Sequence, residues 1–136
     1  MKRILFALIA TLLFVSCGKP SIRPPSQEAL VGSWTLTELK TQKGHRGPAA
    51  GILAGEMRLE ADGKWSGRLQ WIKEATGKEQ PVMSFSGNWS LSNGVLTCRM
   101  NTNAPPVDSR VWFDGKLLAM EPTGRAAMVY YYSKAE

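Results

Sequence analysis

Side chains that commonly catalyse reactions are few in this chain and lie in surroundings that do not favour catalysis. His45 is the only histidine among 136 residues, and one imidazole cannot by itself build a zinc site or a Ser-His-Asp triad. Glu56, Glu60 and Asp62 are grouped like the carboxylates of a glycosidase, but Arg58 lies among them, so a salt-bridged surface explains them better. We therefore expect a protein that is not an enzyme and that holds no metal and no cofactor.

The first residues predict a cleaved signal peptide. Lys2 and Arg3 supply a positive start, and the run from residue 4 to 15 is apolar but for one threonine. This run is shorter than the ~20 apolar residues that a membrane-spanning helix requires. Small Ser16 follows it, as is usual before a peptidase cleavage site. We expect residues 1–16 to be removed.

The cysteine that follows predicts a membrane anchor. Residues 14–17, Phe-Val-Ser-Cys, resemble the lipobox of bacterial lipoproteins, which are cleaved before the cysteine and acylated on its thiol. The resemblance implies lipidation of Cys17, with acyl chains such as palmitate holding the mature chain on a membrane. Gly18 rather than aspartate follows the cysteine, which in lipoproteins of two-membrane bacteria implies the outer membrane. Residues 17–29 are rich in Pro and Ser, so we expect an extended tether and a domain that faces the periplasm. The alternative is an ordinary signal peptide in which the cysteine stands by chance.

Composition limits the rest of the chain to one domain with few classes of partner. Residues 30–136 are long enough for one modest core and too short for two domains. The formal net charge of +6 is dispersed without a basic run, and the predicted export separates the protein from nucleic acid. With Cys17 lipidated, Cys98 is a lone thiol that cannot form an internal disulfide. Its position in a predicted strand indicates a small buried hydrophobe.

Turn dipeptides divide this domain into short strands. Asp-Gly or Asn-Gly pairs at residues 62–63, 93–94 and 114–115 accept the positive φ angles of tight hairpin turns. Apolar and polar residues alternate between the turns, as they do in strands with one buried face. The predicted strands lie at residues 33–40, 56–62, 64–71, 83–92, 94–101, 109–114, 116–121 and 126–133. We predict an all-β, antiparallel up-and-down meander whose roughly eight strands close into a barrel, with a β-sandwich as the alternative.

Four short motifs occur in a fixed order along the domain. They are Gly-Ser-Trp at residues 32–34, Asp-Gly-Lys-Trp at 62–65, the stretch 85–97, and the last hairpin from 116 to 132. This order resembles that of bacterial lipocalin-like domains, which are small calycin-type β-barrels. The resemblance implies that Gly32 and Trp34 begin the first strand and that Trp34 closes one end of the barrel. It also implies a basic side chain over that tryptophan, for which Arg125 is the candidate.

The candidate ligand-binding residues are aromatic side chains on predicted inner faces and two aliphatic ones in a loop. The aromatic set is Trp34, Trp65, Trp71, Phe85 and Trp89. Residues 41–55 form a predicted long loop after the first strand, and Ile52 and Leu53 would lie across the mouth of the barrel as a lid. The alternatives are that the aromatic side chains are simply the core and that Ile52 and Leu53 plug the mouth.

Two functional hypotheses follow from this fold. The first is a binding module that holds a small apolar or amphipathic ligand inside the barrel. The second is a filled barrel that acts as a protein-protein interaction module or inhibitor in the cell envelope. Its binding surface would include Arg110, Trp112 and the loop at residues 101–108, since tryptophan and arginine are frequent interface hot spots.

Overall fold

The computed structural model describes residues 22–73, 75–124 and 128–136, and these residues form a domain that is almost entirely β-structure. Its elements are α1 (Gln27–Leu30), β1 (Gly32–Lys40), β2 (Arg46–Pro48), β3 (Ile52–Leu59), β4 (Lys64–Lys73), β5 (Lys78–Glu79), β6 (Met83–Ser92), β7 (Val95–Met100), β8 (Val107–Asp114), β9 (Leu117–Pro122) and β10 (Val129–Lys134). The strands pair antiparallel throughout the described part of the chain.

Eight of these strands close into a barrel. The order of pairing is β1, β3, β4, β6, β7, β8, β9 and β10, and β10 returns to pair with β1. In the closing pair Trp34 lies opposite Lys134, and Lys40 lies opposite Val129. β2 extends the second half of β1, and β5 extends the end of β4. The predicted up-and-down barrel is confirmed, and the β-sandwich is excluded because one continuous sheet returns to its own first strand.

The connection after β1 differs from the prediction. The long loop predicted at residues 41–55 is wrong, because it contains all of β2 and the first part of β3. β3 begins at Ile52, which pairs with Trp71, and a bulge follows between Ile52 and Ala54. The glycines in this stretch lower its intrinsic preference for strand structure. Strands form there nevertheless, because the edges of β1 and β4 offer backbone groups with which β2 and β3 pair. Ile52 and Leu53 are therefore strand residues at the rim of the barrel and not a lid loop.

The turn dipeptides are confirmed as hairpin connections. Asn93 and Gly94 have φ angles of 50° and 74°, the pair of positive values that a type I′ turn between β6 and β7 requires. Gly63 and Gly115 also have positive φ, at 83° and 61°. Tight turns of this kind fix the register of the strands on either side.

The two ends of the barrel differ in how they are covered. α1 lies at one end, where Leu30 is completely buried and its carbonyl accepts a hydrogen bond of 2.8 Å from the indole of Trp34. Ser26 caps α1 by accepting from the amide of Ala29 at 3.3 Å. This end is called the α1 end, and the opposite one, where β1 ends at Lys40, is called the far end. The last residues of the predicted tether are thus part of the folded domain.

Gly87, in β6, is a position where the fold requires a residue without a side chain. A Cβ there would lie 1.9 Å from the carbonyl oxygen of Arg99 and 2.9 Å from the Cα of Met100. We predict that Gly87→Ala lowers the free energy of unfolding in urea by about 2 kcal/mol, because two paired strands must move apart. Gly47→Ala is the matched control, since its added Cβ meets nothing within 4 Å. Equal losses of stability in the two variants would contradict this account.

Candidate functional site

The indole of Trp34 closes the α1 end from inside the barrel. Trp34 is 2% exposed, and the centroid of its ring lies 6.1 Å from that of Phe113. The ammonium of Lys134 lies 5.4 Å from the centre of the indole, within cation–π range. Arg125, the predicted partner, lies outside the described residues, and the basic side chain that the structure places over Trp34 is Lys134.

Gly32 makes room for this closure. Its φ of +141° belongs to a region that favours glycine, and a Cβ there would lie 2.8 Å from Cε of Lys134. The glycine of the Gly-Ser-Trp motif therefore lets the lysine stem cross the start of β1 to reach Trp34. This contact gives a physical reason for the spacing of the motif.

Two more of the candidate aromatic residues, Trp65 and Trp89, form hydrogen bonds with the backbone of the barrel. Trp89 is 5% exposed and donates a hydrogen bond of 2.9 Å to the carbonyl of Glu60. Trp65 is half-buried and donates across β6 to the carbonyl of Arg99 at 3.3 Å. Both indole N–H groups are thus satisfied by backbone carbonyls that lie beyond the adjacent strand. We assign Trp65 and Trp89, like Trp34, to the packed part of the interior.

The packed part is one apolar cluster on the inner faces of the strands. Its buried members are Leu30, Trp34, Met57, Leu59, Trp89, Leu96, Val111, Leu118 and Met120. Burial of each large side chain contributes roughly 1.5–3 kcal/mol relative to exposure. The cluster accounts for most of the buried hydrophobic side chains in the described part of the chain.

Toward the far end, inward-facing apolar side chains become partly exposed. Ile52 lies opposite Trp71, so both point to the same side of the sheet, and both are only half-buried. Ile52 Cγ2 and Leu36 Cβ would lie 3.3 Å and 2.7 Å from a Cβ at Gly55, which places the two side chains together. Further half-buried apolar residues on this inner face are Leu69, Phe85 and Met100. Leu53, at the bulge, is 45% exposed.

The interior contains hydroxyl and thiol groups but no buried charge among the described residues. Ser109 is the one polar residue that is fully buried there. Burial raises the pKa of the Cys98 thiol to about 12. Burial also raises the pKa of Tyr132, and the nearby Tyr130 and Cys98 add to the effect. A molecule inside the barrel would therefore meet neutral groups, because ionisation is disfavoured there.

The acidic residues weighed in the sequence as catalytic candidates form ion pairs on the outer surface. The pairs are Glu56 with Arg68 at 3.4 Å, Glu60 with Arg58 at 3.3 Å, and Asp62 with Lys64 at 3.4 Å. The backbone amide of Lys64 is the main cause that lowers the pKa of Asp62. The same strands line a pocket of about 510 Å³, whose lining combines outer polar side chains with Trp34, Met57 and Phe85. His45 is exposed, and no group of three potential metal-ligating side chains occurs within the described ranges.

Arg46 fastens β2 to the outer surface of the barrel. Its guanidinium carbon lies 3.9 Å from the centre of the Tyr131 ring, and Nε and Nη1 donate to Glu38 and Asp114, each at 2.5 Å. The hydrogen bond to Glu38 is the main cause that raises the pKa of Arg46. Sequence reasoning missed this residue because its three partners are remote from one another along the chain.

The predicted lipidation site and the predicted protein-binding surface lie outside the barrel interior. Cys17 lies outside the described residues. Arg110 and Trp112 lie together on β8, with the guanidinium carbon 5.5 Å from the indole centre, whereas the loop at 101–108 begins at the far end after β7. The described residues include no helix of the length and apolar character needed to cross a membrane.

Solved structures with a similar barrel come from Bacteroides. A lipocalin-like protein from Bacteroides uniformis ATCC 8492 superposes with a TM-score of 0.53 at 16% identity, covering 79% of this chain and 99% of its own. An uncharacterized protein from Bacteroides eggerthii DSM 20697 gives a TM-score of 0.52 at 12% identity, covering 78% and 99%. No family model matches the sequence, and no curated protein matches it. At these identities the likeness establishes the fold.

The raised pKa of Cys98 predicts low thiol reactivity. At pH 8 we expect residues 18–136 to react with a thiol reagent at least about 100-fold more slowly than an introduced surface cysteine, Ser92→Cys, because the thiolate is the reactive form. Unfolding in urea should restore the ordinary rate.

The same shift has a consequence for stability. Below pH 9.0 both states keep the Cys98 proton, and as the pH rises toward about 12 only the folded state keeps it. The contribution of this thiol to stability is therefore full below pH 9.0 and is lost as the pH rises to about 12, and Cys98→Ala should remove that part of the pH dependence. Fast labelling of the folded protein at pH 8 would contradict the assignment.

Proposed function

We propose that this chain, which has a lipocalin-like fold, binds a small apolar or amphipathic molecule at the far end of the barrel. The observation that carries the proposal is the change in packing along the barrel axis. Side chains such as Leu59, Leu96 and Leu118 are completely buried or nearly so, whereas Leu36, Trp71 and other inward-facing residues at the far end are half-buried. Apolar surface that faces inward and stays partly wet gains free energy when a ligand covers it.

The geometry of the far end supports an open mouth. Met83 and Val107, at the first residues of β6 and β8, are 38% and 44% exposed, and Leu53 on β3 is exposed to a similar degree. These apolar residues come from three strands that reach the same end of the barrel. An apolar rim of this kind is consistent with entry of a hydrophobic molecule.

The neutral interior favours a particular orientation of an amphipathic ligand. Tyr132 and Cys98 stay protonated at physiological pH, and no buried lysine or arginine is found in the described interior. An ionised carboxylate would lose water there without gaining a counter-charge. We infer that a fatty acid would enter with its acyl chain first and would keep its head group at the solvated rim.

The sequence motifs support a location on a membrane. We propose that Cys17 is lipidated after removal of residues 1–16, and that the protein is held on the outer membrane with its domain in the periplasm. We also propose that it is not an enzyme. The acidic groups near Arg58 are engaged in surface ion pairs, and His45 is exposed away from them.

The alternative, a protein-binding barrel, rests on Arg110 and Trp112. Arg110 forms an ion pair with Glu121 while it lies over the indole, and Trp112 is half-buried against Ala119 and neighbouring side chains. The partly exposed inner face favours ligand binding over a wholly filled barrel.

Ligand binding is tested with cis-parinaric acid, a fluorescent fatty acid, and residues 18–136, which contain all strand pairs that close the barrel. We expect saturable binding with one site. Ile52→Glu should weaken binding at least about tenfold, because the side chain of residue 52 points into the barrel beside Leu36, where a carboxylate would lose water without a partner.

Ser84→Glu is the matched control, because it places the same charge at an exposed position on the outer face of β6, near the far end. It should weaken binding less than about threefold. Circular dichroism and urea unfolding confirm that both variants fold. Absence of saturable binding, or equal losses in the two variants, would contradict a site at the far end.

A further inference from the structure

The N-terminal segment of the described chain lies along the α1 end before it enters α1. Pro24 packs against the turn between β6 and β7, where a Cβ on Gly94 would lie 3.2 Å from Cβ of Pro24. Pro25 is buried, so this path is part of the folded domain. The position at which the chain leaves the barrel is therefore fixed beside the turn at residues 93–94.

A shallow apolar notch of about 300 Å³ opens at this point. Ile22 and Pro24 form one side of it, and Gly94, Arg110 and Trp112 form the other. Ile22 is 67% exposed. The notch thus combines an exposed aliphatic side chain, an exposed guanidinium group and a half-buried indole, the types of group found where proteins meet the interfacial region of a bilayer.

Two basic side chains lie at the same end of the barrel as the notch. Arg23 lies in the segment that borders it, and Lys116 lies in the turn between β8 and β9 at the same end of the barrel. Both are exposed, and neither forms an ion pair with another described residue. Free cationic groups at this end complement anionic lipid head groups.

The length of the chain between the proposed anchor and the notch limits their separation. Five residues lead from Cys17 to Ile22. Even fully extended, they span at most about 18 Å at roughly 3.6 Å per residue. A lipid on Cys17 would hold the notch within that distance of the membrane surface, whatever conformation the intervening residues adopt.

We propose that the α1 end docks on the surface of the membrane that holds the lipid anchor, through the notch at Ile22 and Trp112 and the cations Arg23 and Lys116. The occupant of the notch is the interfacial layer of an anionic bilayer. The inference rests on the proposed lipidation of Cys17 and adds a fixed orientation to it. In that orientation the far end, with its apolar rim, points away from the bilayer.

Spin labels at two serine positions on β6 can measure this orientation. Ser92 lies at the α1 end and Ser84 near the far end, both exposed on the outer face and about 26 Å apart at roughly 3.3 Å per residue. The full chain is purified from membranes, with Ser92→Cys or Ser84→Cys carrying a spin label, and is reconstituted into phosphatidylcholine vesicles with or without phosphatidylglycerol. Ni²⁺ chelated on lipid head groups then relaxes spin labels that lie near the membrane surface. The unsubstituted chain, in which Cys98 is half-buried, gives the background labelling.

We expect strong relaxation at residue 92 and little at residue 84 in vesicles that contain phosphatidylglycerol. The double variant Arg23→Glu with Lys116→Glu should reduce relaxation at residue 92 by about twofold or more, since cations near an anionic surface contribute to binding. Lys73→Glu with Lys78→Glu, the same charge change at two exposed positions near the far end, should leave it unchanged.

Mass spectrometry of the N-terminal peptide tests the proposed lipid anchor separately from the proposed orientation. A chain without acyl groups on Cys17 would overturn both the proposed anchor and this orientation. A lipidated chain with equal relaxation at residues 84 and 92 would overturn the orientation alone. Loss of relaxation at residue 92 in both double variants would show that general charge, rather than the α1 end, attracts the membrane, and would also overturn it.

Discussion

The pairing of β1 with β10 is the constraint on which the rest of the structure depends. Without it the sheet would present two open edges, and its inner apolar face would have no opposite wall. Trp34, on β1, contacts β10 through the ammonium of Lys134, which faces its indole. Its indole N–H also donates a hydrogen bond to the carbonyl of Leu30 in α1. Gly32 is the condition for the contact with Lys134, since any side chain there would occupy the space of the lysine stem. Closure is therefore a property of a few residues at one end.

The burial of inward-facing side chains decreases along the barrel axis from the α1 end to the far end. Near α1, large side chains from opposite walls meet and exclude water, as for Leu30 and Leu96. Gly55 and Gly67, on the inner faces of β3 and β4, allow neighbouring side chains to approach the backbone, Leu36 and Ile52 at Gly55 and Trp65 at Gly67. The bulge after Ile52 also interrupts the regular pairing of β3. The side chains of Leu36 and Ile52 that meet at Gly55 nevertheless remain half-buried, and this connects the fold to the proposed binding site.

The local pattern of the sequence predicted the barrel, and contacts between distant residues explain what it missed. β6 was predicted with both ends correct, because it alternates regularly and ends at an Asn-Gly turn. β2 and its Arg46 were not predicted, since their stability depends on Tyr131 and Asp114 in strands near the other end of the chain. Likewise, nothing in its own neighbourhood marks Lys134 as the partner of Trp34. The aromatic residues were placed correctly on inner faces, but which of them are packed and which are accessible depends on their position along the barrel axis.

With the proposed function, stability and ligand binding are separated along one axis of the barrel. Stability requires that large side chains fill the interior, and binding of an apolar molecule requires that some of it is left unfilled. A barrel this small satisfies both requirements only if the closed part and the open part lie at opposite ends. The described N-terminal segment approaches the closed end, beside Gly94 and Trp112. An anchor attached there would leave the apolar rim around Met83 and Val107 free, because the membrane and the mouth would lie on opposite sides of the packed core.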